Sequence, residues 1–166
     1  MGFPVYQATK NYFIENNWHI IAVDLDKNKL NKLQEEGIEL RNTPLEKEKA
    51  TITFIGIRPQ DFHSFSNIIF DSDIVVSLMA GITCETIQKA FPRAKILRII
   101  PNTPCEFGVG ITPIYTSKIF GEDPLLVELY NALSGCGILM PVFQEKAIDW
   151  ATGVSAGGPA YIIGLN

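Results

Sequence analysis

A chain that holds a dinucleotide needs a glycine and an acid at a set distance. The glycine opens a helix and lets a pyrophosphate approach the backbone. The acid follows roughly 20 residues later, at the end of the next strand, and accepts hydrogen bonds from the adenosine ribose. Gly2 and Asp24 have that spacing, with a helical stretch and a β-branched run between them. Taken alone, the pair also reads as an ordinary second residue and a strand-end turn residue.

Three further segments carry residue types suited to the same ligand: Gly56-Ile57-Arg58-Pro59, Leu78-Met79-Ala80-Gly81 and Ile100-Pro101-Asn102-Thr103-Pro104. Each follows an apolar run that reads as a buried strand. In open α/β sheets the ligand lies outside the carboxyl ends of the strands, and all three segments fall there. Small residues admit a flat nicotinamide or a ribose, and a proline after a strand fixes the turn. Ordinary strand-to-helix punctuation uses similar residues, so the set counts for more than any one loop.

No residue presents itself as a catalytic acid. His63 falls within a helix after Pro59 and reads as a surface residue, and Tyr161 reads as core or interface. A metal site is not expected: there are only 2 histidines, His19 and His63, and the 3 cysteines, Cys84, Cys105 and Cys136, are widely spaced. They form neither a metal pattern nor a disulfide framework and read as reduced packing thiols.

The elements that must position these residues follow from apolar runs and their punctuation. Helices are expected over 7–16, 27–36, 60–69, 84–91, 124–134 and 145–152. Strands are expected over 19–23, 51–57, 74–78, 95–100, 111–115 and 138–142, with 101–110 as loop. Strand and helix alternate with short connections, so the fold class is α/β: a Rossmann-like, doubly wound, mostly parallel sheet with helices on both faces. If Gly2 is the last glycine of a phosphate loop, the first strand, which is central in this fold, has no counterpart in the chain. Residues 1–150 then form the nucleotide-binding domain, and 151–166 a linker and the start of a helical domain.

Composition bounds the partners. With 166 residues, a hydrophobic fraction of 46% and a charged fraction of 19%, the chain suits one globular domain. A net charge of −4 argues against nucleic acid, which calls for a basic stripe. No apolar run reaches the roughly 18 to 20 residues that span a bilayer, and the first residues lack the pattern of a signal peptide. No membrane partner and a cytoplasmic setting are expected.

Several segments together resemble one family. Ile100-Pro101-Asn102-Thr103-Pro104, followed by Gly108-Val109-Gly110-Ile111-Thr112, is similar to the MPNTP…G.G.T stretch of pyrroline-5-carboxylate reductases. Arg58-Pro59-Gln60 resembles that family's KPQ, and Ala80-Gly81-Ile82-Thr83 its AGIT. Gly158-Pro159-Ala160-Tyr161, preceded by Ser155, resembles its SGSGPAY. The segments occur in family order from Gly2 to Asn166.

The resemblance implies an NAD(P)H-dependent reduction of the C=N bond of 1-pyrroline-5-carboxylate to L-proline, a step of proline biosynthesis. It implies a Rossmann domain for the cofactor and a C-terminal helical domain that makes a homodimer or larger oligomer. Carried over residue by residue, Gly2 closes the phosphate loop and Asn42 sits near the adenosine side with Asp24. Gly56, Ile57, Arg58 and Pro59, with Leu78, Met79 and Ala80, line the nicotinamide half. Asn102 lies by the reacting centre, and Ser155 belongs to the substrate side. Arg58, Ile100 and Gly157 depart from the family's lysine, methionine and serine. Asp24 favours NADH over NADPH. The chain is expected to be part of such an enzyme, truncated at both ends and inactive alone. Two other readings stay open: a non-catalytic Rossmann module or pseudoenzyme, and a relative of prephenate or β-hydroxyacid dehydrogenases, against which the NTP and GPAY segments argue.

Overall fold

The structure, a computed structural model, describes residues 2–33, 38–42, 49–65, 71–118 and 122–153. Helix α1 spans Gly2–Glu15 and buries Val5, Thr9 and Phe13, which recur every fourth residue on one face. Asn17, at φ 59°, ends it in the left-handed region that asparagine tolerates. The Trp18 N–H closes the turn on the Phe13 carbonyl at 2.9 Å, and the two rings meet edge-on at 5.5 Å.

Strand β1 (Ile20–Val23) follows, then the short α2 (Lys27–Asn31), capped by the Asp26 carboxylate on the Asn28 N–H. Strand β2 (Ile38–Arg41) pairs in parallel with β1. Next come β3 (Lys49–Ile55), a 3-10 turn at Pro59–Asp61, α3 (Phe62–Phe65), β4 (Asp71–Ser77), α4 (Cys84–Ala90) and β5 (Lys95–Ile99). A 3-10 turn at Thr103–Phe107 leads into β6 (Gly110–Thr116), then α5 (Pro124–Leu133) and β7 (Gly137–Pro141). Residues 145–153 form a last helical run.

Two sheets result, β1-β2 and β3-β4-β5-β6-β7. Within the second, β3, β4 and β5 are parallel, β6 runs antiparallel to β5, and β7 parallel to β6. Among the described residues no ladder joins β1 to β3.

The central strands are buried on both sides, which explains their unbroken apolar runs. Ile74, Val76, Leu97 and Ile99 face one core, closed by Val5 of α1 and by Leu126, Leu129 and Leu133 of α5. Val75, Ile55 and Ile96 face the other, closed by Phe62, Cys84, Ile87 and Phe91. The two-residue alternation along each strand thus sends side chains to two helical layers.

The expected elements agree in type with those found, and the differences are local. Helix α1 begins at Gly2, not near residue 7. The strand over β2 was not anticipated, because four residues give too short a pattern. The expected helix 27–36 is regular only over Lys27–Asn31 among the described residues, and its glycine stop at 37 lies outside them. The expected helix 60–69 opens as a 3-10 turn and is described only to Phe65.

Candidate functional site

Because β3, β4 and β5 are parallel neighbours, the loops that leave their carboxyl ends emerge on one edge of the sheet. They are 56–59, 78–83 and 100–104. The structure thus brings the three segments singled out in the sequence to one place.

The start of α1 joins them. A Cβ built on Gly56 would stand 3.2 Å from the Gly2 Cα and 3.5 Å from the Gly2 nitrogen. The chain therefore approaches itself here through two residues without side chains. Helix α1 carries no acid in its first turn, so nothing of its own opposes the partial positive charge of its amino end. A long helix opening beside a bare backbone is a fitting cradle for a pyrophosphate.

Arg58 does not reach into this edge freely. Its Nε donates to Asp61 Oδ2 at 2.8 Å in an exposed ion pair one turn away. Pro59 opens the 3-10 turn, and Ile57 packs against the core that holds Phe62.

The 78–83 loop is built from both ends. The Leu78 N–H donates to the Ile55 carbonyl at 3.0 Å, and the Met79 N–H to Ser77 Oγ at 3.2 Å. The side chains of Leu78 and Met79 are buried, in the α5-side core and the α4-side core respectively. What these residues offer the edge is backbone. Gly81 takes φ +72°, a left-handed turn that glycine adopts without penalty. Thr83 then caps α4 through the Thr86 N–H.

Asn102 closes the third loop on itself. Its Oδ1 accepts from the Ile111 N–H at 2.9 Å, tying the start of β6 to the end of β5. A Cβ on Gly110 would lie 2.7 Å from the Cys105 backbone and 2.8 Å from Asn102 Oδ1, so the loop is packed down to bare glycine.

The adenosine-side residues lie at the carboxyl ends of the smaller sheet. Val23 and Arg41 are register partners, which places Asp24 and Asn42 side by side. Asp24 Oδ1 accepts from the Asp26 N–H at 2.9 Å, while Lys29 Nζ stands 3.7 Å from Oδ2. Asn42 is exposed. Ser155, Gly157 and the Gly158–Tyr161 segment lie outside the described residues.

All three cysteines are free and buried, as expected of packing thiols. Burial, and after it the neighbouring Glu145 carboxylate, pushes the Cys84 thiol up to about 12. Burial first, then Cys105, does the same for Cys136. No acid–thiol cluster suited to a metal occurs among the described residues. His63 is exposed on α3.

Sequence reasoning missed one cluster. Arg98, wholly buried in β5, meets Glu145 and Asp149 of the last helical run at 2.9 and 2.8 Å. The available signal was an arginine set inside the apolar run 96–100.

No family model matches the chain. A curated protein of Synechocystis sp. is 39% identical over 89 residues, covering 54% of this chain and 33% of the relative. One of Bacillus subtilis is 30% identical over 119 residues, covering 69% of this chain and 39% of the relative. Both bear the name pyrroline-5-carboxylate reductase. The matches thus span between a third and two fifths of those relatives' length. The NADP-bound crystal structure of the Plasmodium falciparum pyrroline carboxylate reductase superposes with a TM-score of 0.69 at 20% identity. It covers 98% of this chain and 60% of that one, and shows that the fold is shared. The family resemblance read from the sequence agrees with the names of the two curated relatives, which match 54% and 69% of this chain. Among the described residues, no helix is long and apolar enough to cross a membrane.

Proposed function

We propose that this chain is the dinucleotide-binding part of a pyrroline-5-carboxylate reductase. In this reading it would hold NAD(P)H along the carboxyl edge of β3, β4 and β5 while hydride passes to the C=N carbon of 1-pyrroline-5-carboxylate already protonated at nitrogen, giving L-proline and the oxidised dinucleotide. The observation that carries the reading is the convergence of the 56–59, 78–83 and 100–104 loops with Gly2, in a chain whose curated relatives bear that name.

The residues divide the work. Gly2 and Gly56 admit the pyrophosphate against the amino end of α1. Asp24 and Asn42 meet the adenosine ribose. Backbone of 56–59 and 78–81 bounds the nicotinamide ring, with the buried Leu78 and Met79 fixing that backbone. Asn102 holds the third loop so that the imine sits about 3 to 3.5 Å from the hydride-bearing carbon. The bound cofactor supplies the hydride; the protein supplies orientation and exclusion of water. Asp24 favours NADH, because a carboxylate accepts from a 2′-hydroxyl and repels a 2′-phosphate. Residues 151–166 lead into a helical domain that completes the substrate site and the homo-oligomer.

The test is a chimaera in which residues 2–150 replace the matching segment of the Bacillus subtilis relative. We expect oxidation of NADH or NADPH that depends on pyrroline-5-carboxylate. A folded chimaera that binds the dinucleotide but never turns over would contradict the reading and favour a non-catalytic module. The 166-residue chain by itself is expected to show no turnover above the no-protein rate.

A further inference from the structure

Arg98 sits in the middle of β5 with 0% exposure, on the sheet face that also carries Ile96. A guanidinium taken out of water is costly unless it is paired, and here Nη1 and Nη2 are paired while the buried Nε has no hydrogen-bond partner. Both its partners come from the helical run 145–153: Nη1 donates to Glu145 Oε1 and Nη2 to Asp149 Oδ1. The two acids are one helical turn apart, on the same face as Ile148, which is also wholly buried.

Glu145 has a second bond that Asp149 lacks among the described contacts. Its Oε1 also accepts from the backbone N–H of Cys84 at 2.7 Å. Cys84 is the first residue of α4 and the end of the 78–83 loop. One carboxylate therefore joins β5, the last helical run and the far end of that loop. The near end is fixed separately to the sheet through the Leu78 and Met79 amides. Between these anchors lie Ala80, Gly81 and Ile82, with the left-handed turn at Gly81.

We propose that Glu145 is a positioning residue for the 78–83 loop, coupling the setting of that loop to the setting of the helical run 145–153. The proposal rests on the reading of this loop as part of the dinucleotide site. It assigns the two acids unequal tasks. Asp149 neutralises Arg98 and steadies its own helix. Glu145 does the same and also transmits the position of that helix to the loop.

Amide hydrogen exchange on the unliganded 166-residue chain tests the coupling, and an NADPH titration of the same samples tests its consequence. Glu145→Ala is expected to speed exchange at the Cys84 amide by about tenfold or more. It should also weaken NADPH binding by about fivefold. Asp149→Ala removes the other carboxylate facing Arg98. It should speed exchange within 145–153 yet leave Cys84 and NADPH affinity close to the unmodified chain. An unchanged Cys84 amide in Glu145→Ala, or equal effects of the two variants on Cys84 and on affinity, would overturn the proposal. If Glu145→Ala does not fold, the unmodified chain decides. Under rising denaturant its Cys84 amide and the amides of 145–153 should open as one unit, and separate openings would overturn the coupling. Failure of the unmodified chain to bind NADPH would overturn the dinucleotide reading, and the exchange measurements would still judge the coupling.

Discussion

Asp24 shows how a residue readable from spacing acquires its local surroundings only in the fold. Its place at the end of β1 follows from the strand pattern. Lys29 at 3.7 Å does not, since α2 had to turn back over the strand end. The lysine partly offsets the negative charge, and in the proposed reading the carboxylate is the group that meets the ribose. Asp24→Ser should therefore shift the ratio of NADH to NADPH dissociation constants toward NADPH by about tenfold, equivalent to about 1.4 kcal/mol. A ratio that does not move, by titration with both dinucleotides, would leave Asp24 as a strand-end residue only. Asn102 was legible as a residue of the loop after β5, but its bond to the Ile111 N–H was not. Its truncation to alanine removes one acceptor from a backbone donor, so stability should fall by about 1 to 3 kcal/mol. In the chimaera kcat/KM should fall by about tenfold or more. Asn102→Asp keeps an acceptor oxygen and should recover most of the stability in a denaturant titration. Equal losses in both variants would show that the Ile111 bond is not what the residue contributes.

At the scale of elements, the buried parallel strands were the most legible because both their faces are apolar. The residues 74–76 and 96–99 leave little choice. The direction of β6 was not legible: a strand pattern has no sign, and the reversal depends on the 3-10 turn at Thr103–Phe107. That reversal is dense enough to test. At Gly110 a methyl group would meet the Cys105 backbone at 2.7 Å, and backbone yields less readily than a flexible side chain. Gly110→Ala should cost about 1 to 3 kcal/mol by overpacking, seen as a lower denaturation midpoint with little change in slope. It should also loosen the Ile111 amide, read by hydrogen exchange. A midpoint within error of the unmodified chain would mean that the loop can shift without loss. The Arg98 cluster was hidden for a related reason. An arginine among aliphatic residues signals a partner, but nothing in the spacing shows that the partner lies on the helix beyond β7.

At the scale of the whole molecule, two cores flank one sheet, and each contains thiols. Cys84 and Cys136 are raised to about 12 by burial, above an unfolded value of about 8.5. A raised folded-state value means that the contribution to stability is intact below the unfolded value and is lost as pH climbs toward the folded one. Unfolding free energy should therefore fall between about pH 9 and 12, at most by about 1.4 kcal/mol per pH unit for each thiol that ionises on unfolding. The fall should be shallower in Cys84→Ala and Cys136→Ala. Identical slopes would show that other groups carry the alkaline loss. The proposed function places the ligand on the carboxyl edge of β3, β4 and β5. An amide chemical-shift titration of the 166-residue chain with NADPH, taken to millimolar concentration and repeated with NADH, tests this most directly. The account predicts shifts clustered at Gly56–Ile57, Leu78–Gly81 and Asn102–Thr103, with a second group near Asp24. Shifts at the opposite edge, around Asp71 and Lys95, or none at any of these loops, would contradict it.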